Sequence, residues 1–324
     1  MGLRTKLLTT IRNLDNNANL AQDHWMRSGY KGFKDQMYSY IDQSNRLKKE
    51  VLDSEKIEFS QAQHMLVVGC GFVGKTFADY IEDVTEVTVT RIDPKVHPDN
   101  IISDYTTATC AIVAVPTPSL DNNQCDDSIV RSVIDELMSL NENIHILLKS
   151  TVSPDMMSTY PTNVTYCPEF LRAETAKEDF DNQKTLIIGV ANGCRIEGEF
   201  WERLLCQALN PTKFWLTDRN TSCMVKYVHN TWLATKVAFF HEVYSKTTEF
   251  DYNYSTMTDI LADFENVGPS HMKAENENGT LGFSGYCFPK DTLAFHEFTG
   301  SSILKQVIDT NNELLEINTN ENTK

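Results

Sequence analysis

The segment 282–291 reads GFSGYCFPKD and sets a thiol, Cys287, just ahead of a proline, a lysine and an aspartate. Gly282 and Gly285 permit tight turns, and Pro289 suits the first turn of a helix. Cys287 is therefore expected near a helix N-terminus, where the dipole and the Lys290 ammonium lower a thiol's pKa. A thiolate so placed is a nucleophile, and Asp291 can orient a base or a water. A buried structural cysteine is the other reading of the same residues.

Two more groups could assist such chemistry. Lys226 and Asn230 are spaced i, i+4 in a long helical candidate, so both point from one face and can aim donors at an oxyanion. As an isolated pair they read equally as solvated helix surface. In Cys167-Pro168-Glu169, a proline-fixed extended segment carries an acid.

A third group looks built for phosphate. Gly69-Cys70-Gly71-Phe72-Val73-Gly74 follows an apolar strand and opens a helical stretch. In a G-x-G-x-x-G turn the first glycine bends the chain, the second admits a pyrophosphate, and the third lets helix pack on strand. Asp93 closes the next strand-like run, nineteen residues after Gly74, and can accept hydrogen bonds from an adenosine ribose, which favours NAD. Thr117 in VPTP and Thr151 in KSTV end two further runs, where hydroxyls face the ligand crevice of an open α/β sheet.

The elements that must position these residues follow from periodicity. HMLVV, EVTVTRID, CAIVAVP, HILLKST and TLIIGV are short apolar runs of the kind buried in a parallel sheet, with helical segments such as 127–140 between them. This predicts a Rossmann-like, doubly wound parallel α/β domain over 63–216. Beyond Asp218 the strand signal stops. Helices are predicted over 220–250, 255–264 and 290–317, giving an all-α domain (217–317) with one long central helix and a polar tail at 318–324. Residues 1–62 carry helical stripes (Leu7, Ile11, Leu14; Phe33, Met37, Ile41) and read as a helical extension, either a cap or a docking arm.

Composition narrows the class. Lys plus Arg total 29 against 45 acidic residues, a formal charge of −16, which argues against a nucleic-acid partner. The first 62 residues hold ten basic and eight acidic side chains, so the acidity lies in the rest. Eight scattered cysteines without a C-x-x-C pair suit reduced thiols in the cytoplasm, and no metal site is expected. No signal peptide or membrane span is read, so the sequons at Asn163 and Asn278 are taken as chance.

Taken in order, GCGFVG, VAVPTP, LKSTVSP, CPEFLRA, MVKYVHNTWLATKVAFFHEV, GPSHM and GFSGYCFPKDT resemble the UDP-glucose/GDP-mannose dehydrogenases from about 64 to 310. The resemblance implies NAD-dependent, four-electron oxidation of a nucleotide sugar's primary alcohol, most simply UDP-glucose to UDP-glucuronate. It implies Cys287 as the nucleophile, with thiohemiacetal and thioester intermediates. Lys226 and Asn230 would stabilise oxyanions, Asp291 and Thr151 would handle a water, and Glu169 would act as acid/base. Gly69, Gly71, Phe72, Val73, Gly74, Asp93, Thr117 and Lys290 would hold the cofactor, and the central helix, with Tyr227, Trp232, Phe239 and Phe240, would form a homodimer. An intrachain core is the alternative account of those aromatics.

The chain departs from the family pattern at Cys167 for the usual asparagine, and at Ala173 and Cys223 for usual acids. It departs also at Ser284 for a glycine, and at Asn266-Val267-Gly268 for Arg-Ile-Gly. Only about thirty residues follow Asp291, too few for the further nucleotide-binding domain common in the family. Two rival readings follow: the same chemistry on another nucleotide sugar or a smaller alcohol, or a catalytically impaired NAD-binding protein that acts through residues 1–62.

Overall fold

A computed structural model describes residues 14, 17–18, 21–22, 27–28, 31–54, 64–172, 175–209, 213–276 and 279–321. The chain separates into two compact units, Met1–Ala62 and Gln63–Lys324. The first is built on helix α1 (Lys31–Ser54), whose Met37 is buried against Ala18 and Ala21, with Ile41 beside them. Met37 and Ile41 thus share the helical stripe read in the sequence, whereas Leu7, Ile11 and the Phe33 side chain lie outside the described residues.

The second unit starts with β1 (His64–Val68), α2 (Phe72–Val84), β2 (Thr88–Ile92), β3 (Ala108–Val113), α3 (Ser128–Leu140), β4 (His145–Leu148) and β5 (Val164–Tyr166). It continues with α4 (Ala176–Asp181), β6 (Thr185–Val190), α5 (Arg195–Leu209) and β7 (Lys213–Asp218). The strands form one seven-stranded sheet in the order β2-β1-β3-β4-β5-β6-β7. The order in which strands are added reverses at β1, so β2 and β3 flank it, both parallel to it, and its carboxyl end is the sheet's topological switch point.

Apolar runs form these strands because both faces of the sheet are covered. Leu66, Val68, Ala111, Val113, Ile146 and Leu148 point to one face and pack under Val130, Ile134 and Leu137 of α3. Their alternating neighbours Met65, Val67, Cys110, Ile112 and Leu147 meet Phe77 and Ile81 of α2, Phe180 of α4, and Trp201 and Leu204 of α5.

The sheet is the doubly wound, mostly parallel one expected, with one antiparallel pairing. β5 and β6 pair antiparallel, through Tyr166 and Gly189, so β6 and β7 run against the other five strands. Gly189 also lets the helix that follows β7, Arg219–Thr247, lie close, since a Cβ there would sit 2.6 Å from Cβ of Ser222. β5 and β7 are short or half-exposed and were not distinguished in the sequence.

β7 runs directly into α6 (Arg219–Thr247), because Asp218 both ends the strand and caps the helix, accepting from the Thr221 N–H at 2.8 Å. Arg219 is buried and donates to the carbonyls of Pro161 (2.7 Å), Val164 (3.1 Å) and Tyr160 (3.2 Å), which pins the helix start to the sheet. After α7 (Tyr254–Ala262), the predicted single helix over 290–317 is two, α8 (Cys287–Thr299) and α9 (Ser302–Glu321). Gly300, at φ 64°, ends α8 in the left-handed conformation and turns the chain. α9 runs on into the predicted polar tail, through Asn318. Cys223 and Tyr227 of α6, Phe295 of α8 and Leu304 of α9 enter the same core as one sheet face, so sheet and helical layer are one body.

Candidate active site

The glycine turn shows which of its residues the fold needs and which a ligand needs. Gly69 has φ 90°, and its N–H donates to Ile92 O at 2.8 Å. A Cβ on Gly69 would lie 2.5 Å from Ala114 O, and one on Gly74 only 1.9 Å from Gly69 O. Gly71 differs: no atom lies within 4 Å of the place its Cβ would occupy, so its bareness serves no packing. Gly71 caps α2 without a side-chain bond, the first turn of α2 holds no acid, and Phe72 and Val73 lead that turn. A helix start of this kind suits a pyrophosphate. Asp93 accepts from the N–H groups of Cys70 (2.8 Å) and Lys95 (2.8 Å). Burial opposes its charge, but these bonds outweigh it and hold Asp93 below the usual carboxylate range. These residues fit a dinucleotide.

The ends of neighbouring strands are laced together at this edge. Ala114 N–H donates to Val68 O at 2.8 Å, Lys149 N–H to Val113 O at 2.8 Å, and the Ser150 hydroxyl to Val115 O at 2.7 Å. Thr151 is half-buried there, and its carbonyl accepts from the Cys125 thiol at 3.3 Å. Thr117 is buried beside Cys125, whose thiol burial pushes up while Lys290 opposes. Cys125 therefore marks the place where Thr117, Thr151 and Lys290, far apart in sequence, come together; its own position carried no signal.

Cys287 is the first residue of α8, as expected, and is half-buried. Lys226 donates to Glu169 O at 2.6 Å and to its Oε1 at 3.0 Å, both side chains buried. Asn230 Nδ2 donates to Asp291 Oδ2 at 2.7 Å, and Lys290 Nζ lies 2.7 Å from Asp291 Oδ1. Lys226, Asp291, Glu169 and Lys290 all act electrostatically on the Cys287 thiol. Lys290, which the resemblance assigned to the cofactor, is itself buried on Asp291; burial works against its charge, yet Asp291 keeps its pKa above the usual lysine value.

The expectation of a depressed Cys287 pKa is overturned. Burial pushes the thiol up, Lys226 and Lys290 oppose, and Asp291 and Glu169 add to the rise. Each lysine arrives with its own carboxylate, so the paired charges act on the sulfur with opposite signs, and burial is the largest influence.

Some participants were not singled out in the sequence. Lys149 is buried with no carboxylate partner among the described residues, donating to Cys167 Sγ and Pro168 O at 3.3 Å each and standing 4.2 Å over the Phe77 ring. Phe170 packs its ring edge on His229 and lies under the Lys226 ammonium at 5.4 Å. Arg172 and Asp179 pair at 2.6 Å and close the segment that follows Glu169. Cys223 is buried, its thiol on Val152 O at 3.2 Å, while Ala173 lies outside the described residues. In Asn266-Val267-Gly268, the carbonyls of Val267 (2.9 Å) and Gly268 (3.2 Å), with Ser270 O (2.6 Å), hold the Lys236 ammonium.

Two family profiles match the chain: the UDP-glucose/GDP-mannose dehydrogenase family NAD binding domain over residues 97–204, and the central domain of the same family over 220–319. The chain belongs to the UDP-glucose/GDP-mannose dehydrogenase family.

Among curated relatives of this family member, a UDP-glucose 6-dehydrogenase of Rickettsia felis is 31% identical over 222 residues, 64% of this chain and 48% of its own length. The chain thus spans about half the length of the curated relatives it matches first. In fold it is similar to a UDP-glucose dehydrogenase from Pyrobaculum islandicum, with a TM-score of 0.68 at 21% identity, covering 79% of this chain and 69% of that one. It is also similar in fold to a 3-hydroxyisobutyrate dehydrogenase of Mycobacterium tuberculosis, with a TM-score of 0.58 at 14% identity, covering 77% of this chain and 92% of that one. The glycine turn at 69–74 lies ahead of the span the NAD-domain profile matches, so its assignment rests on its own geometry.

Proposed function

We propose that this chain oxidises the primary alcohol of a nucleotide sugar to the carboxylate, UDP-glucose to UDP-glucuronate in the first instance, with NAD as acceptor. Residues 63–216 would hold the cofactor and supply Glu169 and Thr151, and 217–317 would supply Cys287, Lys226, Asn230 and Asp291. The observation that carries the reading is the convergence of Cys287, Lys226 with Glu169, and Asn230 with Asp291, from three separate segments, beside a strand edge suited to a dinucleotide.

NAD, when bound, accepts the hydride lost at each of two oxidations. Between them, the Cys287 thiol adds across the aldehyde: the S–C bond forms and the proton ends on oxygen. Loss of that proton and a second hydride leaves a thioester on Cys287. Water then adds, the C–S bond breaks, and the carboxylate leaves as the thiol is restored. Lys226 and Asn230 present N–H donors to the oxyanion formed on addition. Glu169, held on Lys226, takes the proton of the attacking water, and Asp291 fixes the Asn230 amide. Thr151 helps seat that water.

A homodimer through α6 belongs to the same proposal. Val225, Val228, Trp232 and Phe239 form an exposed apolar stripe along α6 at helical spacing, while Tyr227 and Phe240 face the core. An intrachain core therefore accounts for two of the four aromatics only.

The direct test is NADH release from the purified chain with NAD⁺ and a panel of UDP-sugars, GDP-sugars and small hydroxylated acids, with Cys287→Ser alongside. Two NADH per sugar, lost in the variant, is the expected result. NAD⁺ binding without turnover on any substrate would overturn the catalytic reading and favour the interaction protein acting through residues 1–62.

A further inference from the structure

The approach to Cys287 is held in an unusual way. Residues 281–283 belong to neither helix nor sheet, yet all six of their backbone polar groups are taken by four side chains. Asn318 accepts from Leu281 N–H at 2.9 Å and donates to Leu281 O at 2.9 Å. Asn311 does the same for Phe283, at 2.6 and 3.1 Å. His241 Nδ1 accepts from Gly282 N–H at 2.8 Å, and Asn276 Nδ2 donates to Gly282 O at 2.7 Å.

The two asparagines thus imitate a neighbouring strand, offering acceptor and donor to one residue as a peptide group would. They project from α9 seven residues apart, two helical turns, and so stand on one face of the helix, from which both reach the 281–283 backbone. Asn311 and His241 are almost wholly buried, so these bonds are shielded from water. Gly282 is required at the centre: its φ is 78°, and a Cβ would lie 2.9 Å from Asn311 Oδ1. Immediately after this clamp, residues 284–286 are exposed, and Cys287 follows. Cys287, half-buried at the start of α8, is therefore held on one side by that helix and on the other, across the exposed turn, by this clamp.

We propose that Asn311 and Asn318, with His241 and Asn276, are positioning residues that hold the 281–283 segment by its backbone and so help set where Cys287 stands. The inference deepens the proposed function and rests on it for its kinetic consequence alone.

The test uses the full chain with Asn311→Leu, which removes both bonds to Phe283, and Asn318→Ala at a half-buried site should the first variant fold poorly. Asn311→Asp keeps the acceptor and loses the donor, and Asn312→Ala on the exposed side is the control. Backbone hydrogen exchange over 276–287, peptide-resolved alkylation by iodoacetamide, and turnover are measured together.

The amides of residues 281 and 283 are expected to exchange about tenfold faster or more. Cys287 is expected to alkylate faster while buried Cys110 and Cys223 do not. kcat is expected to fall about 10²-fold with KM for NAD⁺ unchanged. Asn311→Asp is expected between wild type and Asn311→Leu, and Asn312→Ala at wild type. Unchanged exchange at these amides would overturn the clamp. So would parallel gains at Cys110 and Cys223, which mean general loosening, or fast exchange with wild-type kcat and thiol reactivity. If the wild-type chain turns over no substrate, the proposed function fails, while exchange and alkylation still decide the clamp.

Discussion

Cys287 is set to react only when a proton can leave it. Its pKa is raised by burial, so iodoacetamide at pH 7 is expected to modify it more slowly than a free thiol of pKa about 8.5, with the rate climbing as pH rises past that value. Glu169→Gln removes a charge that pushes the thiol up and frees Lys226, so alkylation should quicken; Lys226→Met should slow it further. Equal rates in the two variants would show that the pair does not act on sulfur. In turnover the same Glu169→Gln is expected to lose about 10²–10⁴-fold, because the water has no base. Lys226→Met also strands a buried carboxylate, which costs about 3–5 kcal/mol, and Glu169→Gln in the same chain should restore part of it. Thermal unfolding of the single and double variants measures this.

Elements impose a different kind of constraint. Gly71→Ala adds a methyl where no protein atom lies within 4 Å and φ is −64°, so the fold should be untouched. NAD⁺ should nonetheless bind about tenfold more weakly, roughly 1.4 kcal/mol, because the methyl enters the space kept for the pyrophosphate. Gly74→Ala should lower the unfolding temperature, since α2 must move off β1. Calorimetric titration beside thermal melts separates the two, and equal losses of stability would overturn the division. The segment leaving Glu169 is tied by Asp179, which Arg172 holds down to about 2, with the Arg172 N–H bonded at 2.9 Å. A depressed carboxylate stabilises above the unfolded pKa of about 3.9 and loses that contribution as pH falls towards 2. Exchange at the Arg172 amide should therefore rise over that range relative to neighbouring helical amides, and Asp179→Asn should show the same rise at neutral pH.

At the scale of the whole molecule, the exposed stripe on α6 is the feature to test. Trp232→Glu places a charge in the middle of Val225, Val228 and Phe239 and should convert a dimer to a monomer in sedimentation, with little effect on the monomer's melting. A wild-type chain that sediments as a monomer at all concentrations would remove the homodimer from the proposal. The chain spans about half the length of the curated relatives it matches, so substrate affinity is best measured directly rather than inherited. Remote contacts are what orient a reacting carbon.

The sequence by itself determined much of this. Strands whose two faces are both covered must read as apolar runs, and a position that needs φ 90°, or whose Cβ would fall 1.9 Å from a backbone oxygen, must be glycine. These are local demands, each written in consecutive residues. The ordered motifs likewise pointed to the right family, because their residue types answer to chemistry rather than to neighbours. Only the tertiary structure decided the rest. The reversal at β6 depends on one pairing between distant segments. The ionisation of Cys287 depends on Lys226 and Glu169, more than fifty residues upstream, acting on it with opposite signs. The amide clamp joins Asn311 and Asn318 to 281–283 through a partner that no spacing in the chain announces. Charge cancellation and hydrogen-bond satisfaction are sums over whatever folding brings within a few ångströms, and a linear pattern does not contain that sum.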